Sequence, residues 1–207
     1  MKGLMIKDIL NLRKNFKTTL LVIGFFAIYA YASNNPSYMI AMVTLILSMM
    51  PLTSMAYDDM SKWDRYALAM PISRKDIVVS KYILSILLSL VSILISFIIT
   101  YLFILPRSDM GRRELLLVAY IIFSISLVYV SIVLPLIYKF GVEKTRIITI
   151  CVFAIPTMMV FAFYKTGLQL PSKKQLLFLL KISPLILILI LICSAFFSYI
   201  IYKNKDI

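Results

Sequence analysis

Long apolar runs alternate with short polar segments along the whole chain. Six runs approach the roughly 20 residues that a helix needs to cross a hydrocarbon core of about 30 Å. They cover residues 18–32, 38–56, 83–105, 115–138, 147–164 and 183–202. The pattern predicts an all-α polytopic membrane protein, a single domain over 1–207 with six transmembrane helices. The first run has only 15 residues and needs Phe16, a snorkelling Lys17 or local thinning to complete it. Asn34-Asn35-Pro36 reads as a tight hairpin turn. Pro184 is expected in the first turn of the last span, where proline is tolerated. Between spans five and six, residues 165–181 hold Gly167, Pro171 and an apolar LLFLL too short to cross. The expectation there is an outer re-entrant segment.

The polar segment 57–82 interrupts this pattern most strongly, with nine charged residues among 26. Met60, Trp63, Ala67 and Met70 recur at helical spacing, opposite Asp59, Lys62, Asp64 and Arg65. Pro71 lacks an amide hydrogen and pushes Met70 out of the α region, which ends that helix. Ser73 and Asp76 then form a capping-box pattern for the next one. At the start of the chain, residues 1–17 read as an amphipathic interface helix. Met5, Ile9, Leu12 and Phe16 are on one face, with Lys7, Asn11, Lys14 and Lys17 roughly opposite. A basic start followed by Ala30-Tyr31-Ala32 also imitates a cleaved signal peptide. The length of the basic helix and the five spans that follow favour retention.

Composition strengthens the membrane reading. The chain is 62% hydrophobic, well above the ~45–50% of soluble domains, and its mean hydropathy is +0.97. The net charge of +13 does not point to nucleic acid, because the basic residues flank apolar runs. Anionic headgroups and the positive-inside bias account for them. With the start inside, 15 Lys and Arg fall on the cytoplasmic side and seven outside. Both termini and the 57–81 loop are therefore expected in the cytoplasm of a plasma membrane. Cys151 and Cys193 fall inside apolar runs and read as small buried hydrophobes.

The chemistry available is narrow. The chain has no histidine, and no ionisable residue falls within the six spans as drawn. Proton-coupled carriers, intramembrane proteases and pumps place such groups at membrane depth. No glycine opens a phosphate-binding loop, so uphill transport would draw its energy from another polypeptide. Ser85, Ser89, Ser92, Ser96 and Thr100 lie on one face of span three. They are read as a helix-packing stripe, with the lining of a translocation path as the alternative. The mixed signs of Asp58, Asp59, Asp64 and Asp76 among the basic residues suit a protein groove better than an anionic leaflet.

The segment KWDRYALAMPISRKDIVVSKYIL, residues 62–84, resembles the first inner loop of small permeases of type-2 ABC exporters. MKGLMIKDILNLRKN is similar to the interface helix of the same family. The resemblance implies a permease without catalytic residues, metal or cofactor of its own, with ATP and Mg held by partner subunits. It implies two cytoplasmic ABC ATPases and a second permease, identical or related, in a bacterial cell membrane. A cytoplasmic coupling helix between spans two and three would then contact the ATPase through Asp58, Asp59, Lys62, Trp63, Arg65 and Tyr66, with Trp63 as anchor. Export of an amphipathic or hydrophobic cargo, such as toxin or antimicrobial peptides, is the function it suggests. A non-transporting immunity or sensor protein that binds a cytoplasmic partner through 57–70 is the competing reading.

Overall fold

The computed structural model describes residues 2–108, 110–165 and 173–205. They form helices α1 (Lys2–Arg13), α2 (Phe16–Ala32), α3 (Pro36–Ser48), α4 (Met50–Met60), α5 (Trp63–Ala69), α6 (Arg74–Ile99), α7 (Arg112–Phe140), α8 (Val142–Lys165) and α9 (Lys173–Lys203). A π-helical turn, Thr100–Ile104, and a 3-10 turn, Leu105–Arg107, prolong α6. Pro106 lacks the amide that would bond the Leu102 carbonyl, so the regular ladder stops there.

Local chemistry explains most helix boundaries. The Asn35 side chain accepts from the Ser37 amide at 3.1 Å, and Pro36 sits in the first turn, so α3 begins where the hairpin was expected. Pro51 in the first turn of α4 withholds the bond to Leu47, and α3 and α4 form one apolar unit interrupted at Met49. Ser73 caps α6 by accepting from the Asp76 amide at 3.1 Å, and Met70 is extended ahead of Pro71. Pro135 lies inside α7 and leaves the Ser131 carbonyl without its helical donor. The Ser194 hydroxyl of α9 donates to that carbonyl at 2.5 Å.

Among the described residues, four helices are long and apolar enough to cross a membrane: Pro36–Met60, Arg74–Ile104, Arg112–Phe140 and Leu180–Lys203. The pair Gly3–Arg13 and Phe16–Ala32 meets the same criterion only when taken together, and it is bent by 65°. The helix α8 occupies the place expected for span five. Residues 166–172 of the expected re-entrant segment lie outside the described residues, and Lys173 onward is continuous with α9. Pro184 is therefore interior, not in a first turn. Its missing amide frees the Leu180 carbonyl, which accepts from the Ser183 hydroxyl at 2.9 Å.

The helices α6, α7 and α9 pack against one another, α3 fills the groove between α6 and α7, and α2 covers α3. Side chains on the outer faces, among them Leu21, Ile28, Leu94, Ile150, Ile188 and Phe196, are exposed. An apolar surface of that extent is stable only against lipid or another apolar face. Cys151 and Cys193 belong to this outer surface, which corrects the expectation that they are buried: both are free and exposed.

Candidate functional site

The short helix α5 stands at the end of the bundle where α4 gives way to α6. Lys62 breaks α4 from α5 by adopting a left-handed conformation, φ +50°. The apolar stripe expected from Met60 to Met70 is split by that break. Ala67 is fully buried and Trp63 half-buried, whereas Met60 is 81% exposed and Met70 45%. Lys62, Arg65 and Tyr66 are exposed beside them, so α5 presents a face of two methionines, a tyrosine and two cations.

Beneath that face lies a cluster of four charges. The Lys81 ammonium donates to Asp8 Oδ1 at 2.7 Å, to Asp58 Oδ2 at 2.6 Å and to Ser54 Oγ at 3.2 Å. Lys7 lies 2.6 Å from the other Asp58 oxygen and 3.1 Å from Asp8 Oδ1, and its ammonium stands 4.4 Å from the centre of the Trp63 ring. Asp8 is 1% exposed, Lys81 4% and Asp58 9%. Two carboxylates meet two ammoniums, and the cluster is neutral. Helices α1, α4 and α6 are thereby tied together.

Two expectations change in detail. Asp58 and Lys81 belong by sequence to the polar loop, and both stand near the ends of helices long and apolar enough to cross a membrane, Pro36–Met60 and Arg74–Ile104. The buried face of α1 is Leu4, Asp8 and Leu12, while Ile9 and Phe16 are exposed. Of the expected Met5-Ile9-Leu12-Phe16 face, Leu12 is buried and Ile9 exposed, and Phe16 begins α2 beyond a 65° bend.

The other helices join at the same end. Burial pushes the Asp59 carboxyl above its ordinary range, and the nearby Val142 amide at the start of α8 offsets part of that. The Tyr202 hydroxyl donates to Asp64 at 3.1 Å, and Lys205 lies 3.7 Å from the same carboxylate. Arg74 donates to the Tyr202 carbonyl at 3.0 Å and also to those of Lys203 and Lys205. A guanidinium over the last carbonyls of a helix satisfies orphan acceptors and complements the dipole. One turn above the charge cluster, the Tyr82 hydroxyl bridges Ser194 and Ser198 of α9 at 2.6 and 2.8 Å.

Ser85, Ser89, Ser92, Ser96 and Thr100 are all fully buried. The four serine hydroxyls donate to carbonyls of the preceding turn at 2.7–2.9 Å, the usual way a membrane helix satisfies such groups internally. Thr44 on α3 is also fully buried, and neither its hydroxyl nor that of Thr100 has a partner among the described residues. Lys81 lies on the same face, four residues before Ser85. The stripe therefore runs from Lys81 to Thr100, about 28 Å at 1.5 Å per residue.

Apolar-faced helices, two of them sharply interrupted, with their polar links gathered at one end, define a multi-pass α-helical membrane protein. Its sequence places it more narrowly. Residues 3–203 match the family described as ABC-2 family transporter protein, and the chain belongs to that family. It is a permease of the ABC-2 type, a family of membrane subunits that lack an ATPase domain of their own and work with ABC ATPase subunits. Among curated proteins, none matches it significantly.

Proposed function

We propose that this permease exports its cargo from a bacterial cell across the plasma membrane, driven by two separate ATPase subunits that dock on α5. It does so as a pair with a second permease, and both termini are cytoplasmic. Six spans, with α2 and α8 counted among them, complete the reading. The observation that carries it is the convergence on α5: Asp8, Asp58, Asp64, Arg74 and Lys81 link that end of α1, α4, α6 and α9. A push on α5 reaches those four helices through charge-assisted bonds, the stronger class of hydrogen bond.

The contact surface is Met60, Lys62, Arg65, Tyr66 and Met70. Aromatic, methionine and arginine side chains are the kinds enriched in interface cores. Asp58 and Trp63 hold this surface from beneath, Trp63 under Lys7. What supports a hydrophobic or amphipathic cargo is a groove of about 430 Å³ between α7 and α8, lined by Ile125, Val128, Ile132, Val152 and Phe153. Its walls offer no charge to a polar solute, and toxin or antimicrobial peptides fit that chemistry.

Co-purification in mild detergent from the native host tests the assignment. A soluble ATPase carrying a phosphate-binding loop is expected to stay bound. Tyr66→Ala is expected to weaken that association by about 2 kcal/mol or more, the loss typical of an interface hot spot, without affecting membrane insertion. Recovery of a different soluble protein, with no ATPase, would make α5 the docking site of a non-transporting binder.

A further inference from the structure

The bend between α1 and α2 carries a cavity that neither the fold nor ATPase docking uses. It has a volume of about 420 Å³, within the ~300–1,000 Å³ of ligand sites. Asn15, Thr18 and Thr53 form its polar part, and Val22, Ile46 and Met49 an apolar trench. The trench runs beside the interruption between α3 and α4. Asn15 uses its carbonyl to accept from the Tyr57 hydroxyl at 3.2 Å, which leaves its amide hydrogens free. The hydroxyls of Thr18 and Thr53 have no hydrogen-bond partner among the described residues.

The charges around this bend are one-sided. Arg13, Lys14 and Lys17 are exposed and make no ion pair among the described residues. The carboxylates that could have met them, Asp8 and Asp58, are taken by Lys7 and Lys81. Lys14 instead lies 5.5 Å from the centre of the Tyr57 ring, whose hydroxyl reaches Asn15 in the cavity. Unpaired cations, free uncharged donors and an adjoining apolar trench match a molecule with an anionic head and an apolar tail.

We infer that this cavity binds one anionic phospholipid. The phosphate is held by Lys14, Thr18, Thr53 and the Asn15 amide, and an acyl chain lies along Val22, Ile46 and Met49. The occupant bridges α2, α3 and α4 beside the bend. A free phosphate would leave the trench unfilled, and a zwitterionic lipid would bring a cation against three others.

Native mass spectrometry of the detergent-purified full chain, titrated with phosphatidylglycerol or phosphatidylcholine of the same acyl composition, tests the site. One phosphatidylglycerol per chain is expected to be retained in preference to phosphatidylcholine. Lys14→Gln is expected to weaken retention about fivefold, the worth of one basic residue near an anionic headgroup. Lys14→Arg is expected to retain it, and Thr18→Val with Thr53→Val to weaken it. Lys75→Gln, a charge removed elsewhere on the same end, is expected to change nothing. Equal binding of the two lipids, an equal loss in Lys75→Gln, unchanged retention in Lys14→Gln, or displacement by excess glycerol phosphate overturns the site. Retention requires no ATPase, so this result is independent of whether the chain exports anything.

Discussion

Lys81 has the most demanding environment of any charge in the chain. Its ammonium is buried with two carboxylates and a hydroxyl, and removing it leaves Asp8 and Asp58 sharing the single ammonium of Lys7. Breaking a buried pair by deleting one partner costs about 3–5 kcal/mol. Lys81→Ala should therefore lower the melting temperature in detergent sharply, and the exchange Asp8→Lys with Lys81→Asp should recover much of the loss. A Lys81→Ala protein that melts with the parent would show that these contacts do not hold α1. The cluster was only half legible in the sequence. The hydroxyl stripe on span three was plain, and one step of four residues back along the same face reaches Lys81, an extension that helical periodicity alone supports. Asp8 gave a weaker signal, a lone acid in a basic helix. Nothing local pairs residue 8 with residue 81, since that contact depends on how α1 folds back.

At the level of elements, turn chemistry read well because its causes are local. The Asn35-Pro36 start, the Ser73 cap and the stop at Pro71 each depend on two or three neighbouring residues. The break at Lys62 was hidden, since a left-handed lysine has no sequence signature and the helical spacing ran straight through it. The extent of α9 was hidden too, because Pro184 looks like a beginning when Ser183 in fact repairs an interior gap. The pairing of Pro135 with Ser194 gives a test of such repair. Ser194→Ala leaves the Ser131 carbonyl buried without a donor, and a loss of about 1 kcal/mol is expected. In a Pro135→Ala background, whose restored amide can bond that carbonyl, the same substitution should cost less. A double-mutant cycle in a detergent unfolding titration measures the difference, and additive losses would disprove the repair.

For the whole molecule, hydropathy located the long apolar helices, because a backbone in lipid has few other ways to satisfy its polar groups. It could not show which polar ends meet, and the links collected around α5 are the result of packing. Those links also have an order in time. Residues 8, 54, 58 and 81 emerge early, so the charge cluster can close while most of the chain is still unmade. Arg74 must wait for carbonyls 128 to 131 residues later. Until then the loop bearing α5 is held on one side only, and the docking surface proposed for the ATPase is unfinished. A chain truncated after Tyr199 should accordingly insert yet be degraded faster than the full chain in a pulse-chase experiment, and equal half-lives would argue against this order. In the proposed assembly, docking on α5 is thus delayed, by covalent sequence alone, until the last helix has been made.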